Sequence, residues 1–319
     1  MSANLRGRKV AIFGGGGFIG SHLVNNLCKE SCQIFVVTRN KKADKNFFYG
    51  SEPGQVKFVV IDKYNEININ KVVSECDIIF NLVGILAENE KSTFNFVHSE
   101  IPKLIAASSK KNNVRGLIHV SALNVNKIPT SKYALTKYSG EQRLKNEFPN
   151  AVIVRPSVVF GKGDNFVNFF LKISTFSPFL PLLGSPYIDF SNSDVLKIIN
   201  FKKKVKFQPV YVGDLARFLV KVSDKKNKTY DLAGPVVQSF DEIFNLILSN
   251  KKRKRFYLPV PFFAAKILAF FLEKLPSPLL TLDQINLLEY DSVSQKGIQN
   301  LKKEIKTPSS IETTIKNFL

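Results

Sequence analysis

Cysteine is scarce in this chain: there are three in 319 residues, Cys28, Cys32 and Cys76, an odd number with no CxxC pair. That argues against a disulfide framework and a cysteine-built zinc site, and it points to a reducing compartment. Histidine is equally sparse, and His22, His98 and His119 fall on different predicted elements, so no metal site is expected. No apolar run is long enough to span a membrane. The most apolar stretch, 258–272, has about 15 residues with Lys266 in its middle, against the roughly 20 that a spanning helix needs. Only residues 1–8 precede the first strand-like run, too few for a secretory or transit segment. The expectation is a protein that stays where it is made, in the cytoplasm, or a processed form. No internal repeat is present.

Negative charge is also in short supply, with 26 Asp plus Glu against 46 Lys plus Arg and a net formal charge of +20. Such a balance suits partners carrying phosphate: nucleotides, anionic lipid headgroups or nucleic acid. The dense basic clusters, 202–204 and 251–255, lack the interleaved aromatics of a nucleic-acid reader, so nucleic acid is disfavoured and both are read as solvated faces.

What is present is a folded α/β pattern, at 44% hydrophobic residues. Strand-like runs at 9–13, 33–38, 56–61, 77–81, 116–121 and 151–155 alternate with helix-length stretches at 18–29, 92–111 and 132–146, with Ser92 and Ser131 as N-cap candidates. Such alternation predicts right-handed βαβ units and a doubly wound parallel sheet with a smaller mixed C-terminal region. The division is drawn near Pro156, giving a first unit over 1–155 and a second over 156–319 interleaved with it. Beyond it come Phe- and Pro-rich sequence, an insertion over 185–206 read as a loop or short hairpin, and short elements at 210–222, 229–232 and 239–248. A short helix is expected near 311–318. The 258–272 stretch reads first as a buried helix. Its second reading is a helix on a membrane surface or against a membrane-protein partner, beside the 251–255 basic cluster.

The chemistry starts at Gly14-Gly-Gly-Gly17-Phe18-Ile19-Gly20, directly after the first strand and opening a helix. In that setting Gly14 makes the tight turn, Gly16 and Gly17 let backbone amides approach a pyrophosphate, and Gly20 lets helix and strand pack closely. The helix start at Phe18 and Ile19 adds partial positive charge. A loop of this kind holds a dinucleotide. At the end of the second strand an NAD-specific fold would offer Asp or Glu; the chain has Thr38 and Arg39. Arg39, helped by Lys41 or Lys42, suits a 2′-phosphate, so NADP(H) is preferred and NAD(H) is the alternative. Asp62, after the third strand, suits an adenine amino group or caps a turn. Leu82, Val83 and Gly84, with Pro156 and Val158, would line the cofactor.

Tyr133 and Lys137 are four apart and share a helix face after the fifth strand, and Ser121 ends that strand. A phenol whose pKa a nearby ammonium lowers can do acid/base work, with Ser121 polarising a carbonyl and Lys137 also holding ribose hydroxyls.

Together these residues resemble the extended or atypical short-chain dehydrogenase/reductase superfamily, which includes nucleotide-sugar epimerases and dehydratases. Four further segments, NLVGI at 81–85, RPSVVFG at 155–161, FQPVYVGD at 207–214 and LDQINLL at 282–288, look like the NADPH-binding accessory-subunit family of respiratory complex I (NADH:ubiquinone oxidoreductase) and its bacterial homologues. The likeness runs from about residue 9 to about residue 293. It implies a tightly held NADPH and a place beside a membrane complex, peripheral on the inner face, or on the matrix side in an organelle. Because Ser121, Tyr133 and Lys137 are all present, an active NADP-dependent oxidoreductase on an apolar carbonyl or quinone-like substrate is the second expectation. The Phe-rich second half is read as suiting such a ligand. A nucleotide-sugar epimerase or dehydratase ranks third, since no grip for a diphosphate sugar is evident.

Overall fold

The computed structural model describes residues 5–39, 52–164, 166–188, 199–275, 278 and 280–318. The first half alternates as β1 (Lys9–Phe13), α1 (Phe18–Leu27), β2 (Gln33–Thr38), β3 (Val56–Val60), α2 (Glu66–Val73), β4 (Ile78–Asn81), α3 (Ile101–Lys111), β5 (Gly116–Val120), α4 (Lys132–Glu147) and β6 (Val152–Pro156). The second half continues with β7 (Val159–Phe160), α5 (Phe166–Phe176), β8 (Phe179–Ile188), β9 (Ile199–Lys204), β10 (Lys206–Phe207), β11 (Val210–Tyr211), α6 (Val212–Lys221), β12 (Lys228–Leu232), β13 (Gln238–Ser239) and α7 (Phe240–Asn250). It closes with β14 (Phe256–Pro261), α8 (Phe262–Leu272), α9 (Leu282–Leu288), α10 (Gln295–Glu304) and α11 (Ile311–Thr314).

Seven parallel strands form the central sheet in the order β12-β6-β5-β4-β1-β2-β3, a doubly wound arrangement whose direction switches between β1 and β4. β1 and β4 are apolar on both faces because helices cover both. On one side Leu23 and Leu27 of α1, Leu215 and Leu219 of α6 and Leu301 of α10 pack on the sheet. On the other side Ile69 and Val73 of α2, Ile105 of α3 and Leu144 of α4 do so. The sheet therefore takes β12 and the helix cover α6 from beyond residue 156.

Three expectations needed correction here. The helix expected over 92–111 is a π-helical turn, Phe96–Glu100, followed by α3, and Ser92 sits in a bridge with Asn89 instead of capping a helix. The Phe-rich second half builds its own core: Phe207 meets Phe240 edge-on at 4.6 Å between centroids and Phe170 packs tilted against Phe244 at 4.5 Å, so these rings serve each other instead of an apolar ligand. The 258–272 stretch is not a buried helix. It splits into β14 and α8, and in α8 only Ala265 and Ala269 are buried, while Phe263 and Phe271 are 69% and 63% exposed. No helix among the described residues is long and apolar enough to cross a membrane. Strands β8 and β9, which flank the part of 185–206 that lies outside the described residues, pair antiparallel, and β8 also pairs with β14.

Candidate functional site

β1 ends at Phe13 and the chain turns through Gly14, whose φ of +79° favours glycine. A Cβ on Gly14 would lie 3.1 Å from the Leu82 carbonyl carbon, so the loop leaving β1 touches the loop leaving β4 at the switch point of the sheet. A Cβ on Gly20 would lie 2.4 Å from the Gly14 carbonyl oxygen, so α1 starts hard against its own loop. Gly16 and Gly17 are exposed at the tip, Phe18 and Ile19 half-buried. Gly17 occupies the N-cap position of α1 with no side-chain capping bond, which leaves the helix start free of a competing side-chain acceptor.

The end of β2 lies beside this loop: a Cβ on Gly16 would stand 3.4 Å from Thr38 Oγ1. The next residue, Arg39, is exposed, and its Nη1 donates to Ser92 Oγ at 3.3 Å. Arg39 thus spans from β2 to the segment that follows β4. Lys41 and Lys42 lie outside the described residues. Asp62, beyond the neighbouring β3, is exposed at the same end of the sheet.

The polar centre is built from β4, β5 and α4. Asn81 Oδ1 accepts the Val83 N–H at 3.1 Å, so Asn81 Nδ2 donates to His119 Nδ1 at 3.2 Å and the His119 proton resides on Nε2. His119 Nε2 and Ser121 Oγ are buried and have no hydrogen-bond partner among the described residues. Lys137 is buried, its Nζ donating to the Val120 carbonyl at 3.3 Å, and a Cβ on Gly84 would lie 3.2 Å from that nitrogen. Burial pulls the Lys137 ammonium down to about 8 against the upward pull of Glu141, which Arg155 Nε binds at 2.9 Å. Pro156 ends β6, and Val158 follows it, accepting the Val210 N–H at 2.8 Å through its carbonyl.

Tyr133 sits half-buried one turn before Lys137, edge-on to His98 at 5.0 Å and to Phe94 at 5.9 Å. His98 Nε2 accepts the Ile85 N–H at 3.2 Å, which leaves the proton on Nδ1, 3.2 Å from Thr136 Oγ1. Burial, reinforced by the Lys137 charge, pushes His98 down to about 2 and His119 to about 3, so both rings are neutral. The expected acidification of Tyr133 is not found. Burial and then the Asp283 carboxylate push the phenol up to about 12.

Lys137 thus stands against Gly84 and the Val120 carbonyl, next in sequence to Ser121, with Tyr133 one turn earlier on α4, while Arg39 follows β2 and Asp62 follows β3. Sequence reasoning passed over His98, His119 and Asp283. His119, on β5 two residues before Ser121, pairs in register with Asn81, a period-two signal visible in the sequence once β4 and β5 are aligned. Nothing local marks His98 or Asp283.

Over residues 10–233 the chain matches the model of the NAD dependent epimerase/dehydratase family. It is 28% identical to NADH dehydrogenase (ubiquinone) 1 alpha subcomplex subunit 9, mitochondrial, of Mus musculus, over 97% of this chain and 79% of that protein. It is 25% identical to NADH-ubiquinone oxidoreductase 40 kDa subunit, mitochondrial, of Neurospora crassa, over 99% and 80% of the two. Among solved structures, an NADPH-dependent quinone oxidoreductase from Escherichia coli complexed with NADPH superposes with a TM-score of 0.71 at 13% identity, covering 97% of this chain and 99% of that one. At that identity the likeness is one of fold.

Proposed function

This chain belongs to the NAD dependent epimerase/dehydratase family as a nicotinamide-dinucleotide-binding protein, and on that premise we propose that it holds NADP(H), in preference to NAD(H), as an accessory protein at the membrane face of a complex I-type respiratory assembly. The observation that carries the reading is α8, whose Phe263, Ile267, Leu268, Phe270 and Phe271 are exposed while its small Ala265 and Ala269 are buried. Its homology to complex I subunits over nearly the whole chain supports the same partner.

The residues fit the cofactor. Gly14 and Gly20 let the loop pack hard against the β4 end and α1 where a Cβ would meet backbone, α1 starts without a side-chain cap, and Ser121 offers a buried hydroxyl with no partner among the described residues. When bound, the dinucleotide supplies or accepts a hydride. The chain's part is to hold the diphosphate at the loop Gly14, Gly16, Gly17, Phe18, Ile19 and Gly20, to set Arg39 against a 2′-phosphate and Asp62 against the adenine, and to line the nicotinamide half with Leu82, Val83, Gly84, Pro156 and Val158. Lys137 holds ribose hydroxyls. Tyr133, at about 12, keeps its proton at neutral pH.

That protonation state also favours a second reading, an NADP-dependent reductase in which Ser121 orients a carbonyl or quinone-like oxygen and Tyr133 protonates it. The test is to identify the nucleotide that purifies with the native protein and to follow its absorbance as carbonyl and quinone compounds are added. Retained NADPH that none of them oxidises is expected; oxidation abolished by Tyr133→Phe would install the reductase instead. In the same assay Arg39→Glu should weaken NADPH about tenfold more than NADH, and equal losses would remove the NADP preference.

A further inference from the structure

We propose that Asp283 is a positioning residue for Tyr133 and Lys137: from the C-terminal region it fixes the first turn of α4 and, with it, the nicotinamide end of the site. The inference rests on the cofactor reading above and adds a residue to which that reading gives no role.

The first amides of a helix have no partner within the helix and must find one elsewhere. In α4 three of these amides find side-chain acceptors. Ser131, the N-cap, accepts the Ala134 N–H at 3.1 Å, as a capping serine ordinarily does. The Lys132 N–H goes to Asp283 Oδ1 at 2.6 Å and the Tyr133 N–H to Asp283 Oδ2 at 3.1 Å. Ser131 Oγ in turn donates to Asp283 Oδ2 at 2.9 Å, so serine and carboxylate act as one cap. The acceptor is charged and lies at the positive end of the helix dipole, and both features strengthen each bond relative to a neutral cap.

This cap is 150 residues away in sequence, so it measures where the C-terminal region sits. Its helix, α9, is held on two sides of the site. Gln284 Nε2 donates to the Leu86 carbonyl at 3.3 Å, just past the cofactor-lining Leu82, Val83 and Gly84, and Asn286 Nδ2 donates to the Thr130 carbonyl at 3.0 Å, just before α4. From behind, Lys266 of α8 pairs with Glu289 at 2.7 Å. Movement of α9 would therefore drag the first turn of α4, and Tyr133 lies in that turn. The carboxylate also acts on the phenol directly, holding its proton on, while the ring neighbours Phe94 and His98 are uncharged at neutral pH.

The experiment compares the full-length protein with Asp283→Asn and Ser131→Ala, reading NADPH release by stopped-flow fluorescence and the Tyr133 phenol by NMR of Cζ-labelled tyrosine. Asp283→Asn should release NADPH about tenfold faster and ionise Tyr133 at lower pH. Ser131→Ala, which damages the same helix start but keeps the charge, should speed release about threefold and leave the phenol where it was. A helix cap alone would move release and not the phenol. Wild-type release in Asp283→Asn, or an unmoved phenol, overturns the proposal. Should that variant not fold, unchanged release in Ser131→Ala overturns it. If the wild-type protein takes up no dinucleotide, the cofactor reading fails, and the phenol titration still decides for or against Asp283.

Discussion

Helices α3 and α8 are both 11 residues long and solve the problem of burial in opposite ways. In α3, Ile101 and Ile105 are buried against the sheet and the last turn carries Lys110 and Lys111 outward. In α8 the two alanines, Ala265 and Ala269, face the protein, while Phe263, Ile267, Leu268, Phe270 and Phe271 are exposed. The ordinary arrangement completes a core within the chain. The inverted one leaves its large side chains exposed, the area that the proposed partner would cover. The chain therefore has two ends with different logics: a crest around Gly14 where small residues make room for a ligand, and an outer face on α8 where small residues let the helix sit close and present large ones.

The sharpest way to break this contrast is at the crest. Gly20→Val would place side-chain atoms where even a Cβ lies 2.4 Å from the Gly14 carbonyl oxygen. Neither loop nor helix can yield there without losing its geometry, so NADPH affinity should fall by about a hundredfold or more. Isothermal titration that found near-normal affinity would mean the loop does not hold the diphosphate.

Much of the crest was legible in the sequence because its signals are local. Six apolar runs at strand length and a glycine loop between the first of them and a helix determine a parallel sheet and the place of its ligand, and Ser131 announces the start of α4. What escaped reading depends on relations between distant segments. The α2 sequence, EININKVV, has an apolar stripe of only Ile69, Val72 and Val73, too short to stand out. A helix such as α8, apolar but for Lys266, has no stripe to say which side faces in; only the structure places its alanines inward. The tyrosine–lysine spacing was visible, but the phenol's environment was not. Lys137 was expected to lower the phenol, yet burial and an aspartate 150 residues away raise it.

Acid sharpens the comparison next. The sheet half carries all three histidines and the Phe-rich core none. His98 and His119 have folded values of about 2 and about 3, below an unfolded value near 6.5. Above that unfolded value both rings are neutral in either state and their contribution to stability is fully present. As pH falls from there towards the folded values, the unfolded chain binds protons that the folded one refuses. Stability should then drop by about 1.4 kcal/mol per pH unit for each ring. Hydrogen exchange at mildly acidic pH should show β5 and α4 losing protection before α7. Loss of protection in α7 first would place the acid-labile part elsewhere.

The smallest effect is the most informative about α8. Phe244 is fully buried in the Phe-rich core, and its replacement by Ala should cost about 3–5 kcal/mol, because ring contacts are lost and a cavity remains. Phe271 is the same residue type, yet it is 63% exposed, so Phe271→Ser should change the stability of the isolated protein by no more than about 0.5 kcal/mol. Association with membranes or with the purified respiratory assembly should weaken, because the lost apolar area is then area that the partner would have covered. Urea unfolding and a co-sedimentation assay on the same variant separate the two quantities. A large loss of stability would show that α8 is covered by this chain in solution after all, and unchanged association would move the partner's contact off this helix.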